Sequence, residues 1–276
     1  MSDPDLLALV SELERIARSA GALIMGGYRQ ARSITKKGAI DLVTEFDLAS
    51  EALLTRELQA SFPAIDVIAE EAQGKRAITR ADDSLRLFVD PIDGTTNFAH
   101  GHPFFCVSLG LCRGASPLAG VVYAPALELC WRGGIGLGMQ RNGEAARVSR
   151  TQALSEALCA SGFGYDVVGA GDDNVPEFRA VQGRSRGVRR CGAAAMDLAL
   201  VADGTYDAYW EFMLQPWDLA AGAALVVAAG GQVSDCEGAE LDVQRGAVIA
   251  SNGRVHTELT KLLSEVRDGR PVPTRA

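Results

Sequence analysis

VDPIDGTTNFAHG, residues 89–101, sets two aspartates three apart, followed by a glycine and two adjacent threonines. The apolar run before it predicts a buried strand over residues 86–90 that stops at Asp90. Pro91 has no N–H and so helps end the ladder. Asp93-Gly94-Thr95-Thr96 then opens a helical turn, where free backbone N–H groups point outward and attract an anion. Gly94 lets that anion approach closely. Two carboxylates beside such a turn would repel a phosphate, and a divalent cation between them removes the conflict. The other reading is a plain strand–turn–helix cap, with Asp and Thr as capping residues. The segment alone does not decide between the two.

Further carboxylates stand in matching places. Glu70 and Glu71 follow a short apolar strand expected over residues 65–69, as Asp90 follows its own. Asp218, in QPWDLAAGAALVVAAGG, falls just after Pro216 at the start of a very apolar helix. Each has an ordinary explanation: a solvated pair for the glutamates, helix-dipole pairing for Asp218. A helix this apolar is buried, however, and a charge at its end then needs a partner.

The totals narrow the classes. The chain has 276 residues, 47% of them hydrophobic, enough for one large core or two fused smaller ones. A formal charge of −8 argues against nucleic acid as the main ligand. It does not exclude an anionic small substrate, because a bound cation inverts the local field. The first residues, MSDPDLLALV, are acidic, unlike an export leader, and no apolar run reaches the ~18 residues needed to span a bilayer. A cytoplasmic protein is expected. The six cysteines are scattered without a CxxC pair and read as reduced thiols. With only three histidines, a metal would be held by carboxylates, which points to magnesium.

Helices are expected over residues 4–25 and 45–61, the second capped by Thr44 with Asp47 at the capping-box position. A hairpin around Lys37-Gly38 lies between them. Residues 104–140 read as an antiparallel meander, and RNGE at 141–144 as a hairpin turn. After about residue 150, short strands alternate with helices (174–184, 193–202, 217–229, 254–267), the pattern of α/β architecture. This divides the chain into an N-terminal α+β sub-domain, 1–145, carrying most of the candidate ligands, and a C-terminal α/β sub-domain, 146–276, completing the site.

DPIDGTTNF together with WDLAAG, preceded by DLVTEFD and AEE, resembles the inositol monophosphatase family in order and spacing over about residues 5–265. The resemblance implies a layered αβαβα sandwich, a Mg2+-dependent phosphomonoesterase, a homodimer and lithium sensitivity. It implies that Glu70, Asp90 and the Ile92 carbonyl hold one Mg2+, that Asp90, Asp93 and Asp218 hold a second, and that Glu70 helps hold a third, weaker ion. Gly94 and Thr95 would offer N–H groups to the phosphate, and Thr95, with Asp47 behind it, would orient the attacking water. Lys36 matches a loop lysine covering the site, Gly192, Ala193 and Ala194 a substrate-contacting loop, and Glu211 an acidic residue that accepts from sugar-alcohol hydroxyls. Two cations can clamp the attacking and leaving oxygens of an in-line displacement, so no covalent phospho-enzyme is needed.

The implied substrate is a small phosphorylated polyol or sugar, myo-inositol monophosphate first. Histidinol phosphate, fructose 1,6-bisphosphate or a nucleotide 3′-phosphate are alternatives, as is a regulatory member with little turnover. Glu211 favours a polyol, since it would repel a second phosphate. Ala193 stands where many relatives carry a hydroxyl residue, which bears on substrate preference. Arg184, Arg186, Arg189 and Arg190 form the basic cluster, either a solvated loop, a phosphate-attracting rim or a subunit contact. His100 and His102 read as solvent-facing turn residues, and Trp217 as packing that fixes the start of the Asp218 helix.

Overall fold

The computed structural model describes residues 5–30, 34–36, 42–73, 83–164 and 173–268. The helices are α1 (Leu6–Met25), α2 (Glu45–Ser61), α3 (Glu70–Gln73), α4 (Thr95–Ala99), α5 (Val175–Gln182), α6 (Ala194–Ala202), α7 (Pro216–Ala228) and α8 (His256–Arg267). A short antiparallel pair, β1 (Ile34–Lys36) and β2 (Leu42–Thr44), precedes α2; its expected turn at Lys37-Gly38 lies outside the described residues.

A seven-stranded sheet follows, in sequence order from β3 (Asp66–Ala69) and β4 (Leu85–Asp93) through β5 (Cys106–Arg113), β6 (Ser116–Ala124), β7 (Leu129–Gly134) and β8 (Gly138–Arg141) to β9 (Glu144–Ala146). Only β3 and β4 run parallel; the rest is the expected meander. The RNGE turn joins β8 to β9 with Asn142 at φ 50° and Gly143 at φ 83°, the pair of positive angles a tight two-residue hairpin requires. The second sheet holds β10 (Leu158–Ser161), β11 (Gly187–Arg189), β12 (Ala208–Glu211), β13 (Gln232–Ser234) and β14 (Val248–Ser251) in the order β11-β10-β12-β14-β13.

Period-2 alternation assigns the layers. In β4, Leu87 and Val89 pack against α1 and α2, while Phe88 faces α6 and α7. In β12, Tyr209 faces α6 and α7 from the other side, while Ala208 and Trp210 face α5 and α8. The molecule is therefore an αβαβα sandwich, with α6 and α7 covered by a sheet on each side. That position explains their composition: a helix with no solvent face is apolar all round. Full burial of Leu219, Leu225 and Val226 contributes roughly 1.5–3 kcal/mol each.

One expectation is corrected. The strand expected to end at Asp90 runs on to Asp93, and Pro91 does not stop it. Asp90 pairs with Ser108 and Asp93 with Cys106, so two residues, Pro91 and Ile92, face one, Val107. This bulge takes the missing N–H of Pro91 out of the ladder and lets pairing resume beyond it. The three-residue edge strand β13, squeezed behind Gly230-Gly231, was not anticipated; it is too short to show alternation. Among the described residues no helix is long and apolar enough to cross a membrane.

The central helix approaches the large sheet through glycine. A Cβ at Gly120 in β6 would lie 2.5 Å from the Ala221 Cα and 2.6 Å from its carbonyl oxygen. Backbone cannot yield as a flexible side chain does, so Gly120→Ala is expected to cost about 1–3 kcal/mol by overpacking, with Gly120→Val costing more. Urea unfolding with an unchanged m-value would register it; a midpoint unmoved by either substitution would show that α7 is free to shift.

Candidate active site

Two secondary-structure ends meet at one point. The bulged end of β4 supplies Asp90 and Asp93, and the first turn of α7 supplies Asp218. One carboxylate oxygen from each lies within 4.8 Å of the others. Asp90 and Asp93 are 2% and 7% exposed, and Asp218 is half-buried. Each is held by its own backbone context. The Ile92 N–H donates to Asp90 Oδ1 at 2.9 Å, across the bulge. The Gln215 N–H donates to Asp218 Oδ2 at 2.7 Å, so Asp218 closes the N-terminal cap of α7 and faces the cluster at once. Glu70 opens α3 directly after β3, whose parallel pairing with β4 sets Ala69 opposite Val89. Glu51 of α2 holds that corner, accepting from the N–H groups of Glu71 at 2.6 Å and Ala72 at 2.8 Å.

The electrostatics follow from this crowding. Burial pushes the Asp90 carboxyl well above the usual range, and the negative charges of Glu70, Asp93 and Asp218 push it further. Burial likewise raises Asp93 to about 7, opposed by the hydrogen bond from the Ala195 N–H and assisted by the charge of Glu211. Carboxylates packed this way cannot all ionise without a cation. Oxygen donors converging in a desolvated pocket are the donor set for a hard divalent ion, so these residues fit Mg2+.

Asp93 is anchored from the far side. The N–H groups of Ala194 and Ala195, at the start of α6, donate to Oδ1 at 3.2 Å and to Oδ2 at 2.8 Å, and the Cys106 thiol donates to Oδ2 at 3.6 Å. The positive end of the α6 dipole thus points at the cluster. Ala194, expected to contact substrate, donates its N–H to Asp93, and the Ala193 and Ala194 side chains are buried. Gly192 is the more accessible member of that loop.

Asp47 caps α2 and also reaches Thr95. Its Oδ2 accepts from the N–H of Thr44 at 2.8 Å and from the Thr44 hydroxyl, completing the capping box of α2. Its Oδ1 lies 3.0 Å from the Thr95 hydroxyl, which also lies 3.0 Å from the Ile92 carbonyl oxygen. A hydroxyl donates one proton, so with that proton directed to Asp47 its remaining lone pair is open to a water.

Gly94 turns the chain at φ 91°, and its cradle is tight: a Cβ there would lie 3.0 Å from the Phe104 carbonyl oxygen and 3.2 Å from that of Gly192. Asn97 ties the same two loops together, its side-chain amide donating to the carbonyls of Phe104 at 2.7 Å and Cys191 at 2.8 Å. Glu211, 8% exposed at the end of β12, accepts from the Tyr209 hydroxyl. Burial raises its carboxyl to about 7; the Tyr209 bond opposes this, the Asp218 charge adds to it and the Arg190 charge opposes it. Lys36 ends β1, and its side chain is outside the described set. His100 and His102 are exposed, and Trp217 is buried with its carbonyl accepting from Ser108 at 3.1 Å.

Sequence reasoning did not single out Glu51, Cys106, Ala195 or Tyr209. Asn97 sits inside the quoted motif and offered a signal there; the other four touch the site only through tertiary contacts.

The protein-family model described as the inositol monophosphatase family matches residues 6–268. An inositol-1-monophosphatase of Synechocystis sp. is 39% identical over 264 residues, 95% of this chain and 91% of that protein. The Nus factor SuhB of Pseudomonas aeruginosa is 40% identical over 243 residues, 86% of this chain and 89% of that protein. The solved inositol monophosphatase of Anabaena (Nostoc) sp. superposes with a TM-score of 0.85 at 36% identity, covering 98% of both chains. With this match running from α1 to the end of α8, the chain belongs to the inositol monophosphatase family.

Proposed function

We propose that this chain is a Mg2+-dependent phosphoric monoester hydrolase acting on myo-inositol monophosphate by direct in-line attack of water. The observation that carries the reading is the convergence of Asp90, Asp93 and Asp218 within 4.8 Å, in a pocket too desolvated for their charges to coexist without a cation. Membership of the family supports phosphatase chemistry, and relatives bearing the name inositol-1-monophosphatase support the substrate.

Glu70, Asp90, the Ile92 carbonyl, Asp93 and Asp218 would hold two Mg2+, with Glu70 helping to hold a third. When bound, the metal supplies Lewis-acid stabilisation of the phosphoryl oxygens and lowers the pKa of water. The protein groups do the rest. Asp47, fixed by Thr44, receives the Thr95 proton, and Thr95 Oγ1 then accepts from the attacking water and aims it. The N–H groups of Gly94 and Thr95, where the chain turns into α4, meet the phosphate. Glu211, held by Tyr209, accepts from hydroxyls of the polyol, while the Gly192–Ala194 loop and Lys36 border it. Residues 1–145 and 146–276 act as two sub-domains that share the site. The same likeness supports a cytoplasmic, lithium-sensitive homodimer. The name Nus factor on the Pseudomonas relative raises a regulatory role, and the full carboxylate set in this chain favours turnover.

Asp93→Asn is expected to lower kcat/KM for inositol 1-phosphate by at least about a hundredfold and to weaken Mg2+ binding in titration calorimetry. Unchanged phosphate release, or wild-type protein equally active after exhaustive chelation, would end this reading. Histidinol phosphate, fructose 1,6-bisphosphate and a nucleotide 3′-phosphate, assayed alongside, rank the alternatives.

Thr95→Val is expected to reduce kcat about a hundredfold while leaving Mg2+ affinity within about threefold, and Thr95→Ser to recover most of the rate. Loss of metal binding in Thr95→Val would instead make the hydroxyl a structural prop of the Ile92 carbonyl.

A further inference from the structure

Asp47, Ser50 and Glu51 stand at three- and four-residue steps on α2 and so share one face of a single helical turn. All three are buried, at 0%, 0% and 7% exposure. Each reaches a different segment around the acid cluster. Asp47 accepts from the Thr95 hydroxyl, at the start of α4, at 3.0 Å. The Ser50 hydroxyl donates to the Pro91 carbonyl, inside the bulge of β4, at 3.3 Å. Glu51 accepts from the N–H groups of Glu71 at 2.6 Å, through Oε2, and of Ala72 at 2.8 Å, through Oε1. One turn of α2 therefore ties together the turn into α4, the bulge that carries Asp90 and Asp93, and the start of α3.

α3 has four residues, Glu70–Gln73, too few to hold a helical turn by themselves in water. Its place is set by β3, which leads into it, and by the Glu51 carboxylate, which gives an oxygen to each of two successive N–H groups. Hydrogen bonds to a charged acceptor are strong, and a buried carboxylate needs them. What α3 presents is Glu70, whose side chain hydrogen-bonds that of Asp90. Glu70 thus faces the cluster while Glu51 grips the backbone one and two residues further on. Resting on the phosphatase reading above, in which Glu70 and Asp90 hold Mg2+ together, we infer that Glu51 is a positioning residue for that metal site: acting through the start of α3, it fixes Glu70 against Asp90. Without Glu51, part of the binding free energy of the ion goes into ordering Glu70, so affinity falls while the rate at saturating metal is kept.

The test measures Mg2+ binding by titration calorimetry, beside phosphate release from inositol 1-phosphate over a range of Mg2+ concentrations. Glu51→Gln keeps the shape of the side chain but turns an amide donor toward one of the two N–H groups. It is expected to weaken Mg2+ binding at least about tenfold, with kcat at saturating Mg2+ within about threefold of wild type. Glu51→Asp keeps the charge and retracts it by one methylene; an intermediate loss is expected, and this variant carries the same comparison should Glu51→Gln not fold. In a Glu70→Gln background, Glu51→Gln is expected to change Mg2+ affinity less than about twofold, because the residue it acts through is gone. Leu58→Val, two turns further along α2 and fully buried, loosens the core without touching these hydrogen bonds, and is expected to hold Mg2+ affinity within about twofold. Unchanged Mg2+ affinity in the folded Glu51 variants overturns the inference. So does a kcat that stays low at saturating Mg2+, a loss undiminished by Glu70→Gln, or an equal loss in Leu58→Val. Wild type that binds no Mg2+ and releases no phosphate rejects the phosphatase reading, and the positioning role with it.

Discussion

Mutual repulsion among buried carboxylates is the constraint on which the rest of this structure depends. Asp90, Asp93 and Asp218 converge within 4.8 Å, and Glu70 raises Asp90 further. Left to themselves such groups would protonate, swing apart or draw in water. The fold prevents the second outcome by giving each carboxylate a backbone anchor: Ile92 for Asp90, Ala194 and Ala195 for Asp93, Gln215 for Asp218. Those anchors are N–H groups at a bulge and at helix starts, which have no partner in regular secondary structure. The strand and helix ends that a protein must satisfy somewhere are satisfied here by the acids.

That arrangement requires α6 and α7 to begin at the same place, between the two sheets. Helices in such a slot have no polar face, and they approach the large sheet only where side chains are small. Gly120 and Gly110 supply the clearance on β5 and β6, and Gly222 supplies it against Leu198 of α6. The run AAGAALVVA is therefore a consequence of geometry at both ends: alanine and glycine let the helix in, and the charge at its first turn faces the cluster. A substitution far from the acids that moved α7 along its axis would misplace Asp218, which couples core packing to chemistry.

Much of this was legible in the sequence because it obeys local rules. The capping box fixed α2 at Thr44 and Asp47, closely spaced turn residues exposed the meander, and the apolar helix after Asp218 announced its own burial. Glu70, Asp90 and Asp218 were picked out because each acid follows or begins an apolar element, and Asp93 by its place in the quoted motif; the structure brings Asp90, Asp93 and Asp218 within 4.8 Å. What escaped was set by tertiary contact. The bulge at Pro91 depends on pairing with β5, and proline alone suggests a stop. Glu51 looks like any acid on a helix until Glu71 and Ala72 are seen donating to it. Tyr209 reads as a buried aromatic, and its bond to Glu211 requires knowing that β12 ends at the site.

The two sheets contribute different things to the site, and the difference has a physical basis. The large sheet contributes the bulge of β4 and the turn into α4, where backbone geometry leaves little freedom: Asp90 through Thr95 are consecutive, and Gly94 has no room for a side chain. On the other side, the end of β12 brings Glu211 towards the cluster through its side chain rather than through backbone. A side chain at a strand end can be exchanged without moving the backbone that carries Asp90 and Asp93; a residue inside the bulge cannot. The acid cluster is thus tied to the fold more tightly than the side chains that stand around it.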